Sequence, residues 1–445
     1  MSLSKFVESA RLLISKLSIR TILPLVGARA VYRVGMALSS VILIVEWGKD
    51  EFAGYALAIG TFGVLSFVTT MGVEKSALKL IPRARYTARQ LTTLFVLLPA
   101  LLSAACALGV VWYGLNSDYP LLMIMGGGLA ICGGVNQVLV GLHRVHGRPH
   151  RDMINYLLLF VSVVVAVACA VFGGLGPVGV MGIMLGSVFV ANLILVPTLP
   201  LTRVRNIRKP LVWSSIRASA LMSADEIAGS AIISLGFLLI GHSDFRSQAA
   251  YMYVVLESST FMMAGFGYIL RILQPRISVY MHRSDSAAAM FERAKYWLKI
   301  MLISGPPYLV LVAVGGFTWE ATTGAPAGPV LIFLLYLSSV PFFLLIGTIN
   351  YLLENHDNTS FISTAAGSMA GMIGACAVSL ALVPWIGALG AMLTWALADI
   401  IHAATILLIF RYKRNTTLSA PAAETSTVDS VCRPVDTFER NGLPR

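Results

Sequence analysis

The chain has 445 residues, 57% of them hydrophobic and only 12% charged, with a mean hydropathy of +0.79. A soluble domain carries about 25% charged residues, so the composition excludes a water-soluble globular protein and describes a polytopic membrane protein. The formal net charge of +12 then belongs to the connections between spans, and no nucleic-acid partner is expected from it.

In chain order, residues 1–20 place Phe6, Ala10, Leu13 and Leu17 on one side and basic residues elsewhere. That is the pattern of an amphipathic helix lying on the cytoplasmic leaflet. No cleavable signal pattern precedes the first long apolar run, which is span 1 itself. Apolar runs of spanning length fall near 21–45, 52–73, 91–114, 119–142, 153–174, 178–201, 213–240, 248–272, 296–318, 329–353, 360–383 and 386–410. The expected fold is therefore an all-α integral membrane protein of twelve transmembrane helices in two six-helix lobes. The N-lobe covers 21–201, the C-lobe 213–411, and a basic linker 202–212 joins them. Residues 412–445 are polar and rich in Ser, Thr and Pro, and read as a disordered cytoplasmic tail. Cys106, Cys132, Cys169, Cys376 and Cys432 have no disulfide or metal spacing. No metal and no cofactor are expected.

The connections orient the spans. Of the 33 Lys and Arg residues, 29 lie in the termini and in alternate connections, around 74–90, 143–152, 202–217 and 271–299. The opposite connections hold only Lys49 and Arg246, and the last two basic residues, Arg29 and Arg33, are inside span 1. Under the positive-inside rule both termini are cytoplasmic. The connection after span 10, with Glu354 and Asp357, is the one departure.

The two halves resemble each other. "VGVMGIML" (Val178–Leu185) matches "IGALGAML" (Ile386–Leu393) at an offset of 208, and "LHRVHGR" (Leu142–Arg148) matches "LLENHDN" (Leu352–Asn358) at 210. Tyr55 maps to Tyr251, Pro82–Arg83 to Pro275–Arg276, and Pro99 to Pro306, at offsets of 196, 193 and 207. Six spans followed by six, both starting from the same side, make a parallel repeat. A substrate site between the lobes and alternating access are the expected design. The glycines of "MGGGLAICGG" (Met125–Gly134) point to close helix packing.

The first hairpin, "ARAVYRVGMALSSVILIVEWGKDEFAGYALAIGTFGVLSFVTTMGVEKSALKLIPR", resembles the start of the Wzx-type O-antigen and exopolysaccharide flippases. Those belong to the multidrug/oligosaccharidyl-lipid/polysaccharide (MOP) exporter superfamily. The "GVMGIML" and "GALGAML" segments resemble its glycine-rich sixth and twelfth helices. The resemblance implies a flippase of the plasma (inner) membrane. Its cargo would be a polyprenyl-diphosphate-linked oligosaccharide, moved from the cytoplasmic to the outer leaflet. The implied partners are that lipid-linked glycan, the membrane lipids, H+ or Na+ as coupling ions, and a polysaccharide polymerase and glycosyltransferases. MATE-type drug exporters share the 6+6 plan, so an antiporter exporting small organic cations stays open as the alternative. A polymerase or ligase would need a large outer loop, and every outer connection here is about ten residues or shorter by the spans above. No enzyme motif is present: "GGLGPVG" (Gly173–Gly179) lacks the strand and dinucleotide context of a phosphate loop.

Charges inside the spans are the candidate site. An Arg at a helix centre costs about 2.5–3.5 kcal/mol on insertion scales. Arg29 and Arg33 are four apart, on one face of span 1 and about 6 Å apart by helix rise. Guanidinium forks suit phosphate oxygens, so one reading has both arginines hold the lipid diphosphate. A second pairs them with acids of the other lobe, and a third lets Arg29 snorkel to the cytoplasmic surface. The acids fall in the second half: Asp225 and Glu226 in span 7, Glu257 in span 8, Asp399 in span 12. In the first half only Glu46 and Glu74 stand near spans, at helix ends. By the 196 offset Asp225 occupies the position of Arg29. The expectation is a basic lobe facing an acidic one, Arg29 and Arg33 pairing with Asp225, Glu226 or Glu257 until substrate competes. Asp399 and His402 share a face of span 12 and could carry a coupling proton or make a hydrogen bond within the lobe. Asn136, Gln137 and Asn350 are candidate sugar contacts, or interhelical hydrogen bonds.

Overall fold

A computed structural model describes residues 19–82, 85–257 and 358–419, together with scattered positions between 296 and 350. The expected spans 296–318 and 329–353 are described only at scattered positions, and most of 248–272, the amphipathic 1–18 and the tail beyond Ser419 lie outside the described residues. The described part is helical, with eight candidate spans long and apolar enough to cross a membrane. The chain is a multi-span membrane protein.

Among the described residues, nine helices carry the fold. Helix α1, Ile19–Thr70, is two arms joined at Gly48, whose φ of 77° and ψ of 167° break the helix. The arms, 19–47 and 49–70, correspond to the first two expected spans. After a turn at Met71–Gly72 comes the short α2, Val73–Leu80. The rest of the N-lobe is α3 (Ala88–Leu115), α4 (Pro120–Val145), α5 (His150–Gly173) and α6 (Pro177–Leu195). Pro120 and Pro177 stand at helix starts, where the missing N–H has no partner to lose. The C-lobe is described as α7 (Lys209–Gly241), a helical segment 248–257, α8 (Asn358–Ile386) and α9 (Ala388–Ser419). Helix α7 begins four residues earlier than its expected span, and α9 continues into the stretch read as tail.

In the N-lobe α1 packs on α4 and α5, α3 on α4, and α4 on α6; in the C-lobe α7 packs on α8 and α8 on α9. The lobes meet where the second arm of α1 runs along α7. One apolar cluster crosses that seam, with Phe52, Tyr55 and Phe62 of α1, Ile232, Phe237 and Ile240 of α7, and Tyr253 and Trp395. The lipid-facing helices instead expose large apolar side chains, such as Leu108, Phe172 and Ile373, which is the arrangement expected when the solvent is hydrocarbon.

Candidate functional site

The two arginines of α1 have different surroundings. Arg29 donates from Nε and Nη2 to the two carboxylate oxygens of Asp152 at 3.2 and 3.3 Å. Its guanidinium lies 4.5 Å from the ring centroid of Tyr156. Arg144 of α4 reaches the same carboxylate at 3.0 Å and also pairs with Glu74 of α2. Asp152 is 1% exposed. Four charges thus tie α1, α2, α4 and α5 together inside the N-lobe. The expected partner of Arg29 was an acid across the cleft; its observed partner is an acid of its own lobe. Asp152 falls in a basic connection by hydropathy, but α5 starts at His150 and carries it into the first turn, where a carboxylate also suits the helix dipole. The N-lobe therefore does hold buried acids.

Arg33, one turn further along, has no acid in its own lobe within ion-pair reach among the described residues. Its Nη1 lies 3.7 Å from Glu257 Oε1, in the other lobe, with the two side chains 33% and 13% exposed. That separation is beyond a hydrogen bond, and Glu257 Oε1 has no hydrogen-bond partner among the described residues. Both residues line a cavity of about 200 Å³ with Tyr32, Tyr156, Tyr253 and Gln137. Asn136 touches the same cavity, but its amide is committed. It donates to Asn155 and Asn192 at 3.0 and 2.9 Å and accepts from Asn155 at 2.9 Å, joining α4, α5 and α6.

The remaining acids occupy separate places. Glu226 of α7 meets Lys75 of α2 across the seam at 3.4 Å. Asp225 faces into the C-lobe, accepting from Asn350 at 3.1 Å and Ser368 at 3.0 Å, with His402 Nδ1 4.0 Å away. His402 also contacts Ser368 at 3.3 Å. The imidazole of His402 on α9 thus stands near the Asp225 carboxylate of α7, at a separation beyond a hydrogen bond. Asn350 is 2% exposed and bound to Asp225, away from the residues that line the cavity. Asp225 and Arg29, related by the repeat offset, each serve their own lobe. Among the described residues no group of three or more His, Cys, Asp or Glu is placed to hold a metal ion.

The seam differs along its length. At the end carrying the basic connections it is polar and close. A Cβ on Gly72 would come within 2.5 Å of Ser219 O and 2.7 Å of Ser223 N, and its φ of 63° also favours glycine. The buried Ser76 bonds Met222 Sδ at 3.4 Å, and buried Ser215 and Ser219 lie on the facing helix. In the middle, Ser234 of α7 enters the hydrogen-bond ladder of α1: its hydroxyl donates to Gly60 O at 2.8 Å and accepts from Val64 N at 3.0 Å. At the far end the seam is aromatic. Tyr55 lies edge-on to Trp47 and to Tyr253, with centroids 5.6 and 6.0 Å apart, and Phe52 edge-on to Tyr253 at 5.9 Å.

The two basic residues of the opposite connections both cross this far end. Lys49 of the N-lobe lies 5.7 Å from the Tyr251 ring, and Arg246 of the C-lobe lies 4.7 Å from the Tyr119 ring and 3.6 Å from Asp118. The 196-residue offset carries Lys49 to Phe245, the neighbour of Arg246, so the clasp is close to reciprocal. Sequence reasoning missed these contacts, as it missed Asp152. The available signal was their exception to the charge pattern.

The fold is similar to that of solved transporters of the MOP superfamily. An inward-facing multidrug-resistance MATE transporter of that superfamily matches with a TM-score of 0.57 at 16% identity, over 88% of this chain and all of that one. An outward-facing MATE transporter matches at 0.56 and 13%, over 90% of this chain and 96% of that one. The lipid II flippase MurJ, in an inward closed conformation, matches at 0.55 and 12%, over 85% and 87%. Inward- and outward-facing neighbours fit equally well, so the likeness selects a fold and not a transport state. No family model and no curated protein matches the chain.

Proposed function

We propose that this chain is a flippase that moves a polyprenyl-diphosphate-linked oligosaccharide from the cytoplasmic to the outer leaflet of the plasma membrane by alternating access. The observation that supports it is the looseness of the Arg33–Glu257 pair in the wall of the interlobe cavity. A guanidinium held beyond hydrogen-bond distance gains two charge-assisted bonds when a diphosphate arrives. Arg29 is already paired with Asp152 through two hydrogen bonds and covered by Tyr156, so Arg33 is the proposed phosphate ligand and Arg29 positions the helix that carries it. Tyr32, Tyr156 and Gln137 are then the proposed contacts for the first sugar. The cavity of about 200 Å³ is below the usual range for ligand sites, roughly 300–1,000 Å³. It takes the head of such a lipid, and the lobes must separate for the rest. Asp225 and His402 are the proposed site of a coupling H+ or Na+, through the contacts they make with Ser368 and Asn350.

Glu257 carries the second reading, a MATE-like antiporter of organic cations, because its Oε1 lines the same cavity without a hydrogen bond to any described residue. Equilibrium binding to the purified protein separates the two. A polyprenyl diphosphate that binds, more weakly to Arg33→Gln and at least as tightly to Glu257→Gln, supports the flippase. An organic cation that binds and is lost in Glu257→Gln supports the antiporter.

A further inference from the structure

One face of α7 is used by neither reading. The buried face of the helix's first turns, Ser215, Ser219, Met222 and Ser223, meets the N-lobe. Lys209, Trp213 and Arg217 follow at i, i+4 and i+8, so they share another face, and all three are exposed, Trp213 by 77%. In a membrane-spanning helix that face meets lipid. Helix α7 has 33 residues, about 50 Å, against a hydrocarbon core of about 30 Å. Its first turns therefore lie in the headgroup layer, with Trp213 about 6 Å and Arg217 about 12 Å deeper than Lys209. Tryptophan is at home at that depth. An exposed arginine there needs a phosphate to reach for.

The linker adds charge beside the stripe. Thr202 N donates to Thr93 Oγ1 at 2.8 Å, holding the exposed Arg203 and Arg205 next to the start of α3. None of these basic groups is in an ion pair with a described carboxylate. We propose that this ledge binds the headgroup of an anionic phospholipid of the surrounding leaflet, its phosphate held between Lys209 and Arg217 and its glycerol region against Trp213. The linker joins the lobes, so a bound lipid also restrains the segment that must flex when they move. A soluble polyanion is a poor occupant, because Trp213 and Arg217 lie inside an unbroken spanning helix.

Native mass spectrometry of the full chain, released from equimolar phosphatidylglycerol and phosphatidylcholine of matched acyl chains, tests this. Wild type should retain the anionic lipid preferentially. Lys209→Gln with Arg217→Gln should lower that retention about tenfold or more, since each surface charge is worth severalfold in affinity, and leave phosphatidylcholine unchanged. Arg217→Lys, which keeps the charge, should keep the preference, and single Arg217→Gln gives a graded loss if the double variant does not fold. An equal retention of both lipids by wild type overturns the proposal. So does a preference that survives Arg217→Gln and the double variant, which would place the lipid on another basic cluster.

Discussion

Arg29 and Arg33 differ by one helical turn and by everything around them. Arg29 shares Asp152 with Arg144, and the acid is 1% exposed. Removing one member of a buried ion network leaves charge without compensation, at about 3–5 kcal/mol. Asp152→Asn should therefore lower the thermal midpoint of the purified protein strongly. Arg33→Gln, taken from a loose and partly exposed pair, should leave the midpoint within a degree or two while binding falls. Reversal of those two outcomes would make Arg29 the ligand. His146, just past the end of α4, has a pKa below its ordinary 6.5, first through burial and then through Arg148; its Nε2 meets Thr92 Oγ1 at 2.8 Å. A depressed histidine stays neutral in the fold while the unfolded chain takes up the proton. Its stability contribution is complete above about pH 6.5 and declines as pH falls toward the folded pKa. Unfolding measured between pH 7.5 and 5.5 should show that slope, and His146→Gln should remove part of it.

At the scale of elements, the seam between α1 and α7 combines a polar end with an aromatic one. Ser234 bridges Gly60 O and Val64 N, a hydroxyl inserted into a helix ladder of the opposite lobe. Such insertions bend helices. Ser234→Ala lets Val64 N–H close on Gly60 O directly, so amide exchange at Val64 should slow while the apolar contacts persist. Gly72 is the tight point at the basic end, where a methyl group in place of its hydrogen would stand within 3 Å of backbone atoms of α7. Gly72→Val should wedge that end apart, and Ser219→Cys beside it should then react faster with a membrane-impermeant thiol reagent. No change in labelling would show that the contact at Gly72 does not hold this end closed. The aromatic end, with Phe52, Tyr55, Phe237 and Tyr253 all buried, has far more apolar area to expose on opening. At about 25 cal/mol per Å² it is the costlier end to separate.

At the scale of the whole molecule, the lobes are held by paired charges near both ends and by Arg33–Glu257 between them. Lys75–Glu226 stands near the basic end. Lys49 on Tyr251 and Arg246 on Tyr119 clasp the far end from opposite lobes. Exposed contacts of this kind contribute about 0.5–1 kcal/mol each. The double variant Lys49→Gln/Arg246→Gln should therefore shift the distance distribution between spin labels on the far ends of α3 and α7 without unfolding the protein. Exchanging the charges of Arg33 and Glu257 tests the central pair. Arg33→Glu with Glu257→Arg should restore interlobe closure, seen in the same distances, that either single variant loses.

Hydropathy and charge placement by themselves determined that this chain crosses the membrane many times. They also located the first seven spans and the last two, and marked Arg29 and Arg33 as charges that need a ligand or an acid, with Asp225, Glu226 and Glu257 as the candidate acids. Those features are legible because burial in lipid is a property of each segment's own composition. The partner of Arg29 was not legible. Asp152 lies in a connection rich in arginines, and only the packing of α5 on α1 brings it inside. The turning of Asp225 into its own lobe, the insertion of Ser234 and the reciprocal far-end clasp were hidden for the same reason. Each joins residues more than 100 positions apart, through helix rotation and crossing, and a one-dimensional pattern records neither. The sequence thus marked the charges inside the apolar runs, and the tertiary structure added Asp152 to them and decided which are already paired.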